Sequence, residues 1–432
     1  MAPNTLCAEP PSRPNIVIIL ADDFGFECVG ANGGTYTTPH LDELARDGVR
    51  FTRCYVQPLC TPTRVQLMTG KYNVRNYVRF GYLDPRQRTF AHAFRDAGYA
   101  TSIVGKWQLE GGFAGPQHFG FDDYCLWQLT RRPPRYVNPG LEINGREVNF
   151  TNGEYGPDLV NEHLLKFIET ERDRPFLAYY PLMLTHSPYE PTPDSPDFDR
   201  RVTGSESSRK NADRKYFADN VRYQDKLIGK LIAKLVDLGI RERTMVIFLG
   251  DNGTGKGITS QLDGRPLHGG KGSTTSSGMH VPLIVSWPGK VTAGRVVDEL
   301  VDSTDFLPTM LDAAKVQRQA DWLLDGHSFW PQLIDQSSEP RRAIYSWYAP
   351  QRGDRPVEFA MDKRWKLYRD GRVFDVQADP EEKSPLQDRL TANDSHAIDE
   401  LRRTLARFEN VRPIHESAPN PKKKKQSNQK AK

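Results

Sequence analysis

Asn15-Ile16-Val17-Ile18-Ile19-Leu20-Ala21-Asp22-Asp23 sets the architecture. The run Ile16–Leu20 is apolar on both alternating faces, so it reads as a strand buried on both sides, as strands of parallel sheets are. It delivers two carboxylates at its end. The pattern recurs. Val246–Leu249 runs into Asp251-Asn252, Ser102–Val104 is followed by Gly105-Lys106, and Phe176–Tyr180 is followed by His186. Leu283–Ser286 is a fifth such run. Ligands of open parallel sheets sit at the carboxyl ends of the strands. The expectation is therefore that these acids, the amide, the lysine and the histidine share one sheet edge.

Helical spacing lies between the strands. Leu41, Leu44, Ala45 and Val49 follow Thr38-Pro39, a cap and first helical turn. Tyr216–Leu238 carries Val221, Leu227, Ile228, Leu231, Ile232 and Leu235 on one face, with Gly239 placed to end it. Strands alternating with helices predict an α/β fold, a large, mainly parallel sheet covered by helices on both faces. Near residue 340 the texture changes to short strand-like pieces, Ala343–Tyr348, Phe359–Met361, Trp365–Tyr368 and Val373–Val376, with a turn at Arg369-Asp370-Gly371. They predict a small antiparallel sheet with a helix over Leu401–Phe408. The expected division is a catalytic α/β domain over 14–340, a C-terminal α+β subdomain over 341–410 and a basic, disordered tail over 411–432. Thr192–Asn211, rich in Pro, Ser and charge, reads as an exposed loop.

The 432 residues suffice for one large and one small unit. Net charge is +4, but residues 411–432 hold seven Lys/Arg against one Glu, leaving −2 on the rest. The basic balance belongs to the tail and does not mark a nucleic-acid surface. No apolar run reaches the roughly eighteen residues of a membrane span. The first fifteen residues hold no basic segment followed by an apolar one, so the protein is either cytoplasmic or periplasmic or secreted with its signal removed. Cys7, Cys28, Cys54, Cys60 and Cys125 fit neither a disulfide scaffold nor a zinc site; Cys28, Cys54 and Cys125 read as buried thiols.

Asp22, Asp23, Asp251 and Asn252 all offer oxygen. Such a set suits a hard cation, calcium or alternatively magnesium, rather than zinc. Taken alone, Asp22-Asp23 could equally cap a helix, and Asp251-Asn252-Gly253 could be a turn. The segment Leu59-Cys60-Thr61-Pro62-Thr63-Arg64-Val65-Gln66-Leu67-Met68-Thr69-Gly70 tips the balance. Cys-x-Pro-x-Arg followed by Leu-x-Thr-Gly resembles the signature of type I sulfatases, of the alkaline phosphatase superfamily. The order of other segments agrees: Pro14–Asp23, Thr38-Pro39-His40-Leu41-Asp42, Gly98–Trp107, Thr185-His186-Ser187-Pro188-Tyr189, Gly250-Asp251-Asn252-Gly253 and Gly270-Lys271-Gly272.

The resemblance implies an alkaline phosphatase-like fold and hydrolysis of sulfate esters, most simply of sulfated carbohydrates or small molecules. It implies that a maturation enzyme oxidises Cys60 to formylglycine (3-oxoalanine), whose hydrate attacks sulfur beside a calcium ion held by Asp22, Asp23, residue 60, Asp251 and Asn252. Arg64 would pair with the cation-bound centre, Lys106 and Lys271 would hold sulfate oxygens, and His186 would protonate the leaving alcohol. Two departures stand out. Thr63 occupies a position where the family often has Ser. Lys106-Trp107-Gln108 stands where the family usually has Lys-Trp-His, so Gln108 is expected to be a substrate contact without acid–base function. The loop after Lys271, over Ser276-Ser277-Gly278 and His280, also lacks the family's usual Glu and Arg.

Two other functions compete: a phosphonate monoester or phosphodiester hydrolase, and a slow or non-catalytic glycan-binding member prompted by Gln108. His92, His118, His163 and His327 read as packing or surface residues. His268 lies near Lys271 in sequence. Trp107, Trp127 and Tyr189 suit either a sugar pocket or the core. Residues 128–155 and 190–215 are the expected specificity loops.

Overall fold

The computed structural model describes residues 13–201, 213–351, 353–386 and 392–413. Its strands in chain order are β1 (Asn15–Ala21), β2 (Val49–Tyr55), β3 (Ala100–Lys106), β4 (Asp123–Trp127), β5 (Gly140–Ile143), β6 (Arg146–Asn149), β7 (Phe176–Pro181) and β8 (Thr244–Gly250). They continue as β9 (Thr259–Leu262), β10 (Arg265–His268), β11 (His280–Ser286), β12 (Arg295–Asp302), β13 (Ile344–Tyr348), β14 (Val357–Met361), β15 (Trp365–Tyr368) and β16 (Val373–Asp375).

Ten strands form one sheet in the order β12-β2-β11-β8-β1-β7-β3-β4-β5-β6. Its centre, β8-β1-β7-β3-β4, is parallel throughout. Strand β11, one of the expected apolar runs, is antiparallel to both neighbours. In β1 the pleat sorts Ile16, Ile18 and Leu20 to one face and Val17, Ile19 and Ala21 to the other, all buried. The first face is covered by Val65, Phe90 and Met310 from the helices Cys60–Thr69, Phe90–Asp96 and Phe306–Ala314. The second is covered by Leu41, Leu164 and Ile228 from Pro39–Arg46, Gly156–Thr170 and Phe217–Asp237. The uninterrupted apolar runs follow from this double coverage.

The C-terminal sheet β13-β14-β15-β16 is antiparallel, and Gly371, at φ 94°, turns the chain between β15 and β16. Its helix spans Ala392–Ala406, starting before the expected Leu401 because the buried stripe begins at Ile398 and continues through Leu401 and Leu405.

Local details differ from expectation. Thr38 does not cap the helix Pro39–Arg46 through its side chain. The Asp225 carboxylate accepts from His40 N (3.1 Å) and Leu41 N (2.8 Å) instead. Residues 128–155 are not a plain loop, since β5 and β6 extend the large sheet. Thr192–Asn211 is not exposed at its start: Thr192 and Ser195 are buried, and Ser195 Oγ donates to Asp219 at 2.7 Å. Residues 202–212 lie outside the described residues, as do Cys7 and 414–432 of the basic tail. Arg412, near that tail's start, stacks 4.0 Å from the Trp347 ring and donates to Tyr77 O. Among the described residues no helix is long and apolar enough to cross a membrane.

Candidate active site

Strands β8, β1, β7 and β3 are neighbours and run the same way, so their C-terminal ends open on one crevice. Asp22 and Asp23 follow β1, Asp251 and Asn252 follow β8, Lys106 ends β3, and His186 follows β7. Cys60 enters from the side as the first residue of the helix Cys60–Thr69. Pro62 is tolerated in that first turn, where its missing N–H has no helical partner to lose.

The acids sit against a ring of cations. Lys106 Nζ donates to Asp22 Oδ2 at 2.6 Å. Lys271 Nζ lies 2.6 Å from Asp23 Oδ1 and 2.7 Å from its Oδ2. Arg64, one helical turn beyond Cys60, donates to Asp251 Oδ2 at 3.0 Å and to Lys106 O at 3.1 Å. Asn252 Nδ2 donates to Asp23 Oδ1 at 2.9 Å, and Asp23 N to Asp251 Oδ1 at 3.0 Å. Cys60 Sγ donates to Gln108 Oε1 at 2.9 Å. His186 Nε2 lies 3.9 Å from Asp23 Oδ2, and its Nδ1 lies 2.6 Å from Ser187 O.

The backbone is bent to achieve this. Asp23 and Gln108 hold left-handed conformations (φ 57° and 59°), unusual for residues with side chains and concentrated at functional sites. Gly105, at φ 118°, lies so close to β7 that a Cβ would meet Pro181 O at 2.0 Å. Only glycine lets β3 deliver Lys106 there.

Burial works against the charges of Asp22 and Asp23, yet Lys106 and His186 around Asp22, and His186 and Lys271 around Asp23, hold both below the usual carboxylate range. Asp251 is pushed up to about 7 by burial and by the charge of Asp22, against the pull of Arg64. Burial lowers His186 to about 3, against the pull of Asp23 and Asp22. Burial also raises the Cys60 thiol.

Whether these residues fit a cation can be judged from their unused atoms. Asp22 Oδ1 and Asn252 Oδ1 are buried and accept no hydrogen bond among the described residues. Donor atoms of Asp22, Cys60 and Asp251 lie within 4.8 Å of one another, as do those of Asp22, Asp23 and His186. Buried acceptors without donors are costly, and an oxygen-binding cation would satisfy them. The oxygen-rich set fits calcium or magnesium better than zinc.

The chain belongs to the sulfatase family. The Sulfatase family model matches residues 14–316, and the model described as N-sulphoglucosamine sulphohydrolase, C-terminal, matches residues 271–410. Human arylsulfatase A is 34% identical over 339 residues, covering 69% of this chain and 63% of its own length. Mouse N-acetylgalactosamine-6-sulfatase is 31% identical over 353 residues, covering 73% of this chain and 65% of its own. The chain thus spans just under two thirds of these sulfatases. A crystal structure of Ps i-CgsB in complex with k-i-k-neocarrahexaose shares the fold, with a TM-score of 0.79 and 24% identity over 97% of this chain and 98% of that one.

In this member of the sulfatase family, the structure gathers Asp22, Asp23, Cys60, Arg64, Lys106, Gln108, His186, Asp251, Asn252 and Lys271 in one place. His268 is engaged elsewhere, on Thr259 Oγ1 at 2.9 Å in the hairpin β9–β10. Trp107, Trp127 and Tyr189 are core residues. Thr63 is buried and ties the helix to the preceding chain, accepting from Gln57 N at 3.0 Å. The four described cysteines are free and buried. Arg135 escaped the sequence reading. It is buried, stacks 4.4 Å from the Trp127 ring, and donates to Ser187 O (2.8 Å) beside His186. No motif surrounds it in Arg131-Arg132-Pro133-Pro134-Arg135.

Proposed function

We propose that the protein hydrolyses sulfate esters of carbohydrates, with residue 60 carried as formylglycine and calcium held by Asp22, Asp23, residue 60, Asp251 and Asn252. The observation that carries this reading is the pair of unpartnered buried oxygens, on Asp22 and Asn252, beside Cys60 and within a ring of three cationic side chains. Hydrated formylglycine supplies a hydroxyl nucleophile and a second hydroxyl through which sulfate can be expelled. Bound calcium supplies charge neutralisation beside that nucleophile.

The remaining work falls to this chain's residues. Lys106 and Lys271 pair with the carboxylates here, and both are placed to bind sulfate oxygens as negative charge builds on them. Arg64 balances Asp251 and so keeps that carboxylate available as an oxygen donor. His186 is the group beside the leaving alcohol. Burial keeps its imidazole neutral here, and negative charge arriving with the sulfate ester would favour the protonated ring that can pass a proton to that alcohol. Gln108 hydrogen-bonds residue 60 and orients it. A formylglycine-generating enzyme is the partner this reading requires.

Carbohydrate as the substrate class is supported by the relative named N-acetylgalactosamine-6-sulfatase and by the neighbour solved in complex with k-i-k-neocarrahexaose. A division into a catalytic unit over 14–340 and a smaller one over 341–410 belongs to the same reading, supported by the separation of the 10-stranded sheet from the 4-stranded C-terminal one.

The test begins with protein made alongside a formylglycine-generating enzyme. The mass of the tryptic peptide Cys54–Arg64 is expected to show an aldehyde at residue 60, and calcium-dependent turnover is expected on 4-nitrophenyl sulfate above the matched phosphonate ester. An unmodified thiol removes the formylglycine mechanism. Preference for the phosphonate removes sulfate as the substrate.

A further inference from the structure

Lys271 lies on a loop that carries no acid of its own between Gly272 and Met279. Its near side is tied to the active-site framework: Lys271 N donates to Thr254 O (3.0 Å), and Gly272 N to Pro58 O (2.8 Å), two residues before Cys60. Its far side is held by the segment that follows β16. Glu381 Oε1 accepts from Ser277 N at 3.2 Å, and its Oε2 accepts from Ser277 Oγ at 2.7 Å and Thr275 Oγ1 at 3.2 Å. Ser276 N donates to Pro380 O at 3.0 Å.

Glu381 is itself set on a rigid base. The neighbouring Glu382 accepts from Lys366 Nζ at 2.6 Å and from the Tyr368 hydroxyl at 2.5 Å. That hydroxyl lies 2.9 Å from Thr274 Oγ1, and Lys366 also donates to Thr274 O. Lys366 is buried with its ammonium 3.8 Å from the Phe359 ring. Glu382 adopts a left-handed backbone (φ 55°), a conformation its neighbours must enforce.

Ser277, the residue Glu381 grips, is packed against both flanks of the site. A Cβ at Gly270, next to Lys271, would meet Ser277 Oγ at 2.1 Å. A Cβ at Gly253, next to Asn252, would meet Ser277 O at 1.9 Å, and Gly253 N donates to Gly278 O at 2.9 Å. Ser277 therefore packs directly against the bare backbone of Gly270 and Gly253, so a shift of Ser277 is felt by the chain that bears Lys271 and Asn252.

We infer that Glu381, from beyond the C-terminal sheet, is a positioning residue for Lys271. It sets where that ammonium meets a sulfate oxygen, and the inference rests on the role proposed for Lys271. The test compares matured full-length Lys271→Ala, Glu381→Ala and Glu381→Gln on 4-nitrophenyl sulfate, with amide exchange followed over residues 270–278. Lys271→Ala is expected to lower kcat/KM about a hundredfold. Glu381→Ala is expected to lower it about tenfold and to speed exchange in that loop, with the melting temperature little changed. Glu381→Gln is expected to recover most of the loss, because its amide oxygen still accepts from Ser277 N and its NH2 can donate to the hydroxyls. Wild-type turnover in Glu381→Ala beside a crippled Lys271→Ala overturns the positioning role alone. So does a Glu381→Gln no better than Glu381→Ala. Wild-type turnover in Lys271→Ala overturns the reading beneath it.

Discussion

Arg64 Nη2 and Asp251 Oδ2 meet at 3.0 Å with both side chains buried, pinning the helix that starts at Cys60 to the end of β8. Removing one member of such a pair leaves the other charge buried and unpaired, at a cost of about 3–5 kcal/mol. Arg64→Met keeps the volume and removes the charge, so Asp251 would face Asp22 and Asp23 with less compensation. The variant is expected to unfold at lower urea concentration in the absence of metal and to lose turnover, with added calcium restoring part of the stability. Wild-type stability without metal would show that the ion pair does not hold the helix.

The unpartnered oxygens of Asp22 and Asn252 give a prediction that needs no substrate. A ligand bound only by the folded state stabilises it, by about 2.7 kcal/mol at a hundred times its dissociation constant. Calcium is expected to raise the melting temperature by several degrees. Asn252→Ala, which removes one of these oxygens, is expected to abolish most of that gain, and Asn252→Asp to retain it. A calcium-independent melt in the wild-type protein would remove the cation from the site.

The fold was legible wherever one physical signal dominated. Ile16–Leu20 and Val246–Leu249 announced central strands because both faces are covered, and the polar residues beyond them fell on one edge as parallel order requires. Residues whose neighbours come from distant segments were not legible. Asp225 capping a helix 185 positions away, Arg135 beside His186, and Glu381 beneath the Lys271 loop all depend on tertiary contact and leave no local pattern. The hairpin β5–β6 left no clear pattern because each strand is only 4 residues long, the buried β5 carries Glu142 in its middle, and the edge strand β6 is polar. Thr63 and Gln108 were legible only as departures from a family pattern, and their contacts, with Gln57 and Cys60, became visible only in three dimensions.

His280 yields a pH effect on stability. Its ring is stacked between Phe26 (4.2 Å) and Tyr55 (5.0 Å), and Nε2 donates to Thr52 O at 2.8 Å. Burial lowers it to about 4, whereas in an unfolded chain histidine titrates near 6.5. Between those values the unfolded chain takes up a proton that the folded protein refuses. The stabilising contribution is therefore complete above about pH 6.5 and is lost as pH falls towards 4. His280→Gln keeps a donor for Thr52 O and removes the titration. Urea unfolding at pH 7 and pH 5 is expected to show the wild-type protein losing about 2 kcal/mol more than this variant. Parallel losses in the two proteins would mean that His280 can be protonated within the fold.

Gln108 accepts from Cys60 Sγ at 2.9 Å from a left-handed backbone position, a conformation that histidine also tolerates. An amide can orient a hydroxyl on residue 60 but cannot take its proton near neutral pH. If expulsion of sulfate from residue 60 limits turnover, a base at this position should accelerate it. Matured Gln108→His is expected to raise kcat several-fold above pH 6.5 and to add an acidic limb to the pH–rate profile as the imidazole protonates. Gln108→Ala, which loses the orienting bond without gaining a base, is expected to lower kcat with no such limb. The mass of the Cys54–Arg64 peptide must be compared first, so that a difference in maturation is not read as a difference in chemistry. An unchanged profile in fully converted Gln108→His would place the limiting step elsewhere, at attack on sulfur or at product release.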